Sequence, residues 1–439
     1  MAKYILCFAG GLVATIGMLI YKYWIQFRTL ERLGVMGPKP SLYYGSAREY
    51  CGLGPLKFMQ QLINKYGPVC GFYYGAKPIL VITDCDMIEQ VLCKDFKSFS
   101  EREHVVDYLK KKAAKCRGLL QAKGEAWKRA RQIVQPSLKG KAALFQANCE
   151  AICEVLDRHA RSGEAVDIYR IFGQFTMETI LAVVFSHRVG ILRGDEDQFT
   201  RLSQCILRDG QAAAYFGGGD CSVPVFLSNF PFLEYFVRMY HSCSEAGKSS
   251  KMLTDNIIEL IKARRAETGQ HQDVLQTMID GNTHQQLSDE EIAAHSKNLL
   301  LAGFESMANL LAYTSYLLAL NPDKQAKLHE EIDSYFKVNP ETEPKSAVDR
   351  IKYLDCVIQE SLRLFQQKPT KCTFLPFGDG NRQCIGKMLA EATTKLFFIE
   401  TLRKYKLVMD SKTEVPLVTQ CGITFSPKNG IYLRIVPHS

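Results

Sequence analysis

The residues best suited to chemistry lie in one glycine-rich segment, residues 374–386. Within it Gly380, Arg382, Cys384 and Gly386 occupy every second position, and a helix is expected to begin near Gly386. Backbone N–H groups, a guanidinium and a helix N-terminus all favour a thiolate. Gly386 would also let a flat group lie close to the backbone. The pattern therefore predicts a readily ionised cysteine that serves as a nucleophile or as a metal ligand.

Other interpretations of Cys384 fit less well. A zinc site needs further Cys or His ligands, and none stands at ligand spacing nearby. An acyl-transfer nucleophile needs a His partner that the sequence does not indicate, although a distant one stays open. The chain has 15 cysteines, an odd number with irregular spacing, which is unlike a small secreted disulfide scaffold. Most of these cysteines are therefore expected to be reduced core residues.

A long helix is predicted from Ser288 to the residue before Asn321-Pro322. Residues 288–291 form a capping box, and no proline interrupts the 33 residues from 288 to 320, which would span about 50 Å. Residues 299–304 are apolar all round, so they should be buried. Glu305 and Ser306 then interrupt this stretch. A buried carboxylate is costly without a partner, so the pair indicates either a functional site or a satisfied kink.

The remaining elements predict a mainly α protein with small β sheets (α+β). One hairpin is expected over residues 69–83, and a second is expected to join residues 422–425 to 431–436 through an Asn-Gly turn. Nearly everything between them has helical patterning. A helix over residues 356–365 carries Glu360 and Arg363 three positions apart, which permits an ion pair.

The first thirty residues predict a membrane anchor. Residues 4–21 contain no charge, and Lys22, Arg28 and Arg32 follow them. This run is at the short end of a bilayer span, and the positive-inside rule places the rest of the chain in the cytosol. A cleaved signal peptide fits less well. We expect an anchor over 1–28 and one catalytic domain over 29–439, with the proline-rich residues 37–40 as the hinge.

The net charge of +9, from 55 basic and 46 acidic residues, is too small to indicate nucleic-acid binding. Most of the excess lies in residues 110–131, which hold nine basic side chains and one acid, Glu125. This segment is either a solvated face or a basic patch that docks an acidic redox partner or anionic lipid.

The loop pattern Phe377-x-x-Gly380-x-Arg382-x-Cys384-x-Gly386 resembles the haem-binding signature of the cytochrome P450 family. Weaker resemblances follow the family's order at residues 127–131, 302–306 and 360–363. They imply a P450 fold in which Cys384 is the axial thiolate of haem b and favours O–O cleavage. The implied site comprises catalytic Glu305 and Ser306; haem contacts from Trp127, Arg131, Ala302, Phe377, Gly380, Arg382, Cys384 and Gly386; and the structural pair Glu360 and Arg363.

Residues 30–34, 39–41, 66–75 and 427–432 resemble most the branch that isomerises prostaglandin H2 to thromboxane A2. That chemistry needs neither O2 nor a reductase. Ser306 stands where that branch has an apolar residue, and its hydroxyl could relay a proton, as monooxygenation requires. We predict isomerisation, with monooxygenation of lipophilic substrates by way of an NADPH-cytochrome reductase as the alternative. The resemblance also implies an endoplasmic reticulum membrane location.

One departure from the family is large. Several tens of residues normally separate the E-x-x-R helix from the haem loop, whereas here only residues 366–373 lie between Phe365 and Phe374. The missing segment supplies strands and a third partner for Glu360 and Arg363, which are expected to be buried. Losing one member of a buried ionic group costs on the order of 3–5 kcal/mol. This gap predicts weak or absent haem binding, and a non-catalytic, haem-free form is the third hypothesis.

Overall fold

The structure of the protein is a computed structural model. It describes residues 17, 21, 24–102, 118–138, 141, 145–207, 239, 242–267, 271–281, 287–365, 374–421 and 424–438. The predicted anchor, apart from a few of its positions, and the shortened segment 366–373 lie outside the described residues.

The N-terminal half consists mainly of helices, with one hairpin among them. In chain order they are α1 Thr29–Arg32, α2 Ala47–Leu53, α3 Pro55–Tyr66, β1 Val69–Tyr74, β2 Lys77–Ile82, α4 Cys85–Glu89, α5 Gly124–Ser137, α6 Gln146–Ser162, β3 Val166–Asp167, α7 Ile168–Phe185 and α8 Gln198–Cys205.

The C-terminal half is dominated by long helices and ends in strands. These elements are α9 Glu245–Ala266, α10 Val274–Asp280, α11 Asp289–Leu320, α12 Pro322–Val338, α13 Pro344–Ala347, α14 Lys352–Phe365, α15 Lys387–Leu402, β4 Tyr405–Met409, β5 Thr419–Cys421, β6 Phe425–Pro427 and β7 Tyr432–Pro437. The predicted class, mainly α with small antiparallel sheets, is confirmed.

Helix α11 is the predicted central helix. Ser288 caps it, the reciprocal bonds of the capping box with Glu291 are both present, and Pro322 opens the next helix. Its main packing partner is α7. A Cβ on Gly303 would lie 2.5 Å from Cδ1 of Ile180, so glycine permits this close approach of the two helices.

Helix α7 is the one described helix that is long and apolar enough to cross a membrane. Most of it is buried inside the protein, and Phe172 and Phe175 pack edge-on or tilted against Phe397 of α15 at 4.8 and 5.3 Å between ring centroids. Helix α7 is therefore the centre of the hydrophobic core.

The first predicted hairpin is confirmed: β1 pairs with β2 in antiparallel register from Val69–Ile82 to Tyr74–Lys77. The predicted pairing of the last hairpin is wrong. Strand β6 pairs with β5, whereas β7 pairs with β3 and β4. Asp167 explains why the chain after β6 turns away from that strand. Its Oδ1 accepts the Ile431 N–H at 3.1 Å, and a Cβ on Gly430 would lie 2.7 Å from its Oδ2. The Asn-Gly turn thus joins two sheets.

Candidate active site

The Cys384 loop is closed by its own backbone. The Cys384 N–H donates to the Phe377 carbonyl oxygen at 2.8 Å, and residues Gly380–Arg382 form a 3₁₀ turn that Asp379 caps. Gly380 has a φ of +66°, and a Cβ there would lie 2.1 Å from the Leu92 carbonyl oxygen. Glycine is therefore required at position 380 by conformation and by space.

The Cys384 thiol is open to solvent but surrounded by protein on its other sides. The residue is exposed, yet burial raises the pKa of its thiol. The N–H groups of Gly386 and Lys387 and the charges of Arg131 and Arg102 act in the opposite direction but do not prevail. The prediction of a readily ionised thiol is therefore wrong, because desolvation outweighs the nearby donors. The predicted helix N-terminus at Gly386 is present.

Three guanidinium groups surround this loop and bond to backbone carbonyl oxygens. Arg131 Nη1 donates to Gln383 at 2.9 Å, and Arg102 Nη2 donates to Arg382 at 2.9 Å. Arg382 itself donates to Ser100 and Ala122 at 3.1 and 3.0 Å. Among the described residues, no ion pair joins any of the three arginines to a carboxylate.

Among the described residues this cluster carries more positive than negative charge, since only the Glu101 carboxylate opposes the mutual repulsion at Arg382. Desolvation and the neighbouring Arg102 lower the pKa of Arg382 to about 10. Its guanidinium lies over the Trp127 ring, 4.0 Å from the centroid, and Trp127 is buried. The cluster is suited to a group that carries carboxylates beside Cys384. Arg102 was missed by sequence reasoning, since it belongs to no motif and only the fold brings it here.

The basic segment 110–131 is only partly described. Five of its nine basic residues, at positions 110–117, lie outside the described residues. Of the others, Lys128 pairs with Glu125 and Arg129 pairs with Glu291 of α11. Two of the four described basic side chains of the segment are thus paired with a carboxylate.

Three other predicted site residues, Ala302, Glu305 and Ser306, lie on α11. Between residues 291 and 319 of this helix, only Ala302 and Ser306 are exposed. They stand four residues apart and so share one face. The expected burial of residues 299–304 therefore fails at Ala302. The Ser306 hydroxyl donates to the Ala302 carbonyl oxygen at 2.6 Å.

Glu305 lies next to this exposed face but is half-buried. Its Oε2 is inaccessible and has no partner among the described residues. Desolvation raises the pKa of the carboxyl, and a hydrogen bond with Thr424 opposes this. The carboxyl therefore holds a proton more readily than an exposed glutamate does.

Glu360 and Arg363 form the predicted ion pair, with Arg363 Nε 2.6 Å from Glu360 Oε2. The prediction that the pair is buried is wrong, because their side chains are 53% and 41% exposed. Phe365 of the same helix packs inward, stacked on Tyr313 of α11 at 3.9 Å between centroids. No described segment covers the pair.

The comparison with family models decides the affiliation. The model described as Cytochrome P450 matches residues 35–373 and 366–434. The chain belongs to the cytochrome P450 family. Similar curated proteins are Cytochrome P450 3A30 of Fundulus heteroclitus, 28% identical over 96% of both chains, and Thromboxane-A synthase of Sus scrofa, 26% identical over 94% of this chain and 93% of the relative. Cytochrome P450 3A5 of Homo sapiens is 28% identical over 97% of this chain and 95% of its own.

The comparisons also show that this chain lacks residues that its relatives have. The two segments matched by the P450 model meet and overlap at residues 366–373. The alignment with Cytochrome P450 3A30 runs over 501 positions, whereas this chain has 439 residues, so at least 62 positions of that alignment have no counterpart here.

Membership of the P450 family implies a haem-thiolate cofactor. The described residues fit such a group on its thiolate side. Cys384 is exposed. A Cβ on Gly386 would stand 3.9 Å from the Cys384 sulfur, so glycine at position 386 leaves the space beside the sulfur open. Arg102, Arg131 and Arg382 would provide cations for the carboxylates of such a group.

Proposed function

We propose that the protein is a haem-thiolate monooxygenase of lipophilic substrates. The observation that carries the proposal is the pair on α11: an accessible Ser306 hydroxyl directly after a Glu305 carboxyl whose pKa is raised by burial. When bound, haem would supply the activation of O2 with electrons from a reductase. Cys384 would hold its iron, and Arg102, Arg131 and Arg382 would hold its carboxylates.

Ser306 and Glu305 fit the need of monooxygenation for protons. The reaction takes up two protons for each oxygen atom released as water, so the distal wall must deliver them. A hydroxyl both donates and accepts, and a carboxyl with a raised pKa is a suitable source. Isomerisation consumes no net proton and does not require either group.

Isomerisation of prostaglandin H2 to thromboxane A2 is the second candidate. The resemblance of residues 30–34, 39–41, 66–75 and 427–432 supports it, and two thromboxane-A synthases are among the similar proteins at 26% and 25% identity. The sequence patterns thus favour isomerisation, while the side chains of α11 favour monooxygenation.

Two incubations separate the candidates. Purified protein loaded with haem is given prostaglandin H2 without reductase, and in parallel a panel of lipophilic substrates with NADPH and cytochrome reductase. Oxygenated product that requires NADPH supports the proposal. Thromboxane formation without reductase, together with no oxygenated product, would contradict it and support the isomerase.

We also propose a membrane-anchored location and a basic docking face for the reductase. A cavity of about 520 Å³ is lined mainly by residues of α5. Its walls are Phe96, Trp127, Lys128, Arg131, Gln132, Gln135, Pro136 and Asn381. A concave surface lined by the Arg131 guanidinium and the amides of Gln132, Gln135 and Asn381 suits an acidic partner. The anchor over 1–28 and the endoplasmic reticulum location rest on the sequence pattern.

An internal deletion near 365–374 is proposed to weaken haem binding. Two observations support this proposal. The Glu360–Arg363 pair is exposed, and the family match divides into two segments that overlap at residues 366–373. Inserting the corresponding segment of a relative between Phe365 and Phe374 should raise the haem-to-protein ratio of the purified chain. An unchanged ratio in a folded insertion variant would contradict the proposal, and a haem-free native chain would support the non-catalytic form.

A further inference from the structure

A polar stripe on α11 joins the central helix to the small sheet of β5 and β6. Glu305, Asn309 and Tyr313 follow at intervals of four residues, which places them on one face of the helix. Asn309 Nδ2 donates to Thr424 Oγ1 at 2.7 Å, and the Tyr313 hydroxyl donates to the Phe425 carbonyl oxygen at 2.6 Å. Asn309 and Tyr313 are both buried. These contacts fasten one edge of the sheet to the helix beside the proposed site.

Thr424, the residue directly before β6, contacts Asn309 in the middle of this stripe. Because its oxygen accepts from Asn309, its hydroxyl hydrogen is free to point at the Glu305 carboxylate, with which it forms a hydrogen bond. Ser306 makes no such contact, since its hydroxyl is donated to Ala302. The carboxyl is thus held by the sheet rather than by its helical neighbour.

The other groups that face Glu305 stay neutral near physiological pH. Tyr169 of α7 and Tyr313 of α11 both interact with the carboxyl, and burial raises the pKa of Tyr169 to about 12 and that of Tyr313 further. Thr424 is therefore the contact that most directly stabilises the charged form of Glu305. The Oε2 of the carboxyl is buried and has no partner among the described residues, so no second contact there competes with Thr424 for the charged form.

We propose that Thr424 is a positioning residue that holds the Glu305 carboxyl for proton delivery at the α11 face. The inference deepens the proposed monooxygenase and rests on it for its catalytic meaning. The hydrogen bond itself is independent of that function and can be tested alone.

The linkage between pH and stability gives the test. Since the pKa of Glu305 is raised in the folded state, stability is lost as pH rises from below 4.5 through the folded pKa. Removing the Thr424 hydroxyl should raise that pKa further. The melting temperature of Thr424→Val should then lie further below that of the parent at pH 7 than at pH 4, by about 2–4 °C, in addition to a pH-independent loss from the unpaired Asn309 amide.

Four variants complete the design. Thr424→Ser keeps the hydroxyl and should follow the parent curve, and Thr419→Val alters the same sheet at an exposed position and should do so too. Glu305→Gln removes the titrating group, so Thr424→Val should show no pH-dependent difference in that background. Thr424→Ala, which adds no bulk, replaces the valine variant if valine prevents folding.

Parallel melting curves for Thr424→Val and the parent would overturn the proposal, as would a pH-dependent difference that persists with Glu305→Gln. For turnover, Thr424→Val should lower the product formed per NADPH consumed, and Thr424→Ser should preserve it. If the melting curves behave as expected but no chain oxygenates substrate, the contact stands and the proposed monooxygenase fails.

Discussion

Arg131 Nη1 donates a 2.9 Å hydrogen bond to the carbonyl oxygen of Gln383, the residue directly before Cys384. This bond ties α5 to the loop that carries the thiol. It leaves the Arg131 guanidinium close enough to oppose the rise in the pKa of Cys384. Loop geometry and local charge at the sulfur are therefore set by the same side chain.

Replacing Arg131 with Gln should weaken haem retention. The change removes a charge-assisted hydrogen bond, typically worth about 1.5–3 kcal/mol, and one cation of the arginine cluster. We expect haem to transfer to apomyoglobin at least about tenfold faster, because about 1.4 kcal/mol corresponds to a factor of ten. Lys128→Gln on the same helix is the matched control, since its pair with Glu125 is exposed. Equal transfer rates for the two variants would contradict the role of Arg131.

Replacing Glu360 with Gln should cost little stability. Both members of the pair are exposed, and exposed ion pairs contribute about 0–1 kcal/mol, whereas breaking a buried pair costs about 3–5 kcal/mol. Denaturant unfolding of the variant and the parent checks this. Asp273→Asn, which breaks the fully buried pair with Arg264, provides the contrast and should be far more costly. A loss above about 3 kcal/mol for Glu360→Gln would show that the pair is covered.

Replacing Ser306 with Ala should uncouple electron use from product formation. General acid–base groups typically contribute about 10²–10⁴-fold, and we expect the lower end because water can partly substitute. Product per NADPH should fall in Ser306→Ala and be retained in Ser306→Thr. If thromboxane formation is instead measured, Ser306→Ala should leave it unchanged. Unchanged NADPH coupling in the alanine variant would contradict a proton-relay role.

Acidification should destabilise the fold through His295. Burial lowers the pKa of this α11 histidine from 6.5 to about 4, with Arg129 adding to the effect and Glu291 opposing it. A folded pKa below the unfolded one means that stability is lost as pH falls from about 6.5 towards 4. The loss is on the order of 3 kcal/mol. Melting curves of His295→Gln should be flatter over this window than those of the parent, and identical slopes would contradict the assignment.

The sequence was sufficient where local chemistry decides structure. The capping box at Ser288, the proline that opens α12 and the hairpin of β1 and β2 follow from short-range hydrogen bonding and backbone preference, and each is present. The helix N-terminus at Gly386 was also predictable, because it belongs to one contiguous motif with the Cys384 loop.

The sequence was insufficient where distant segments meet. The partner of β7 depends on Asp167, more than 260 residues away, which directs the chain out of the expected hairpin. The pKa of Cys384 depends on how much protein surrounds it, and the exposure of Glu360 depends on what covers α14. Arg102 and Thr424 carry no motif, so only the fold reveals their contacts with the loop and with α11.

The ferrous–CO spectrum of the purified 439-residue chain and of Cys384→Ala tests the central claim most directly. We expect less than one haem per chain, a thiolate-type spectrum from the bound fraction, and loss of that spectrum in Cys384→Ala. Cys93→Ala, an exposed cysteine beside the same loop, should retain it. A thiolate-type spectrum that persists in Cys384→Ala, or none in the parent chain reconstituted with excess haem, would contradict the account.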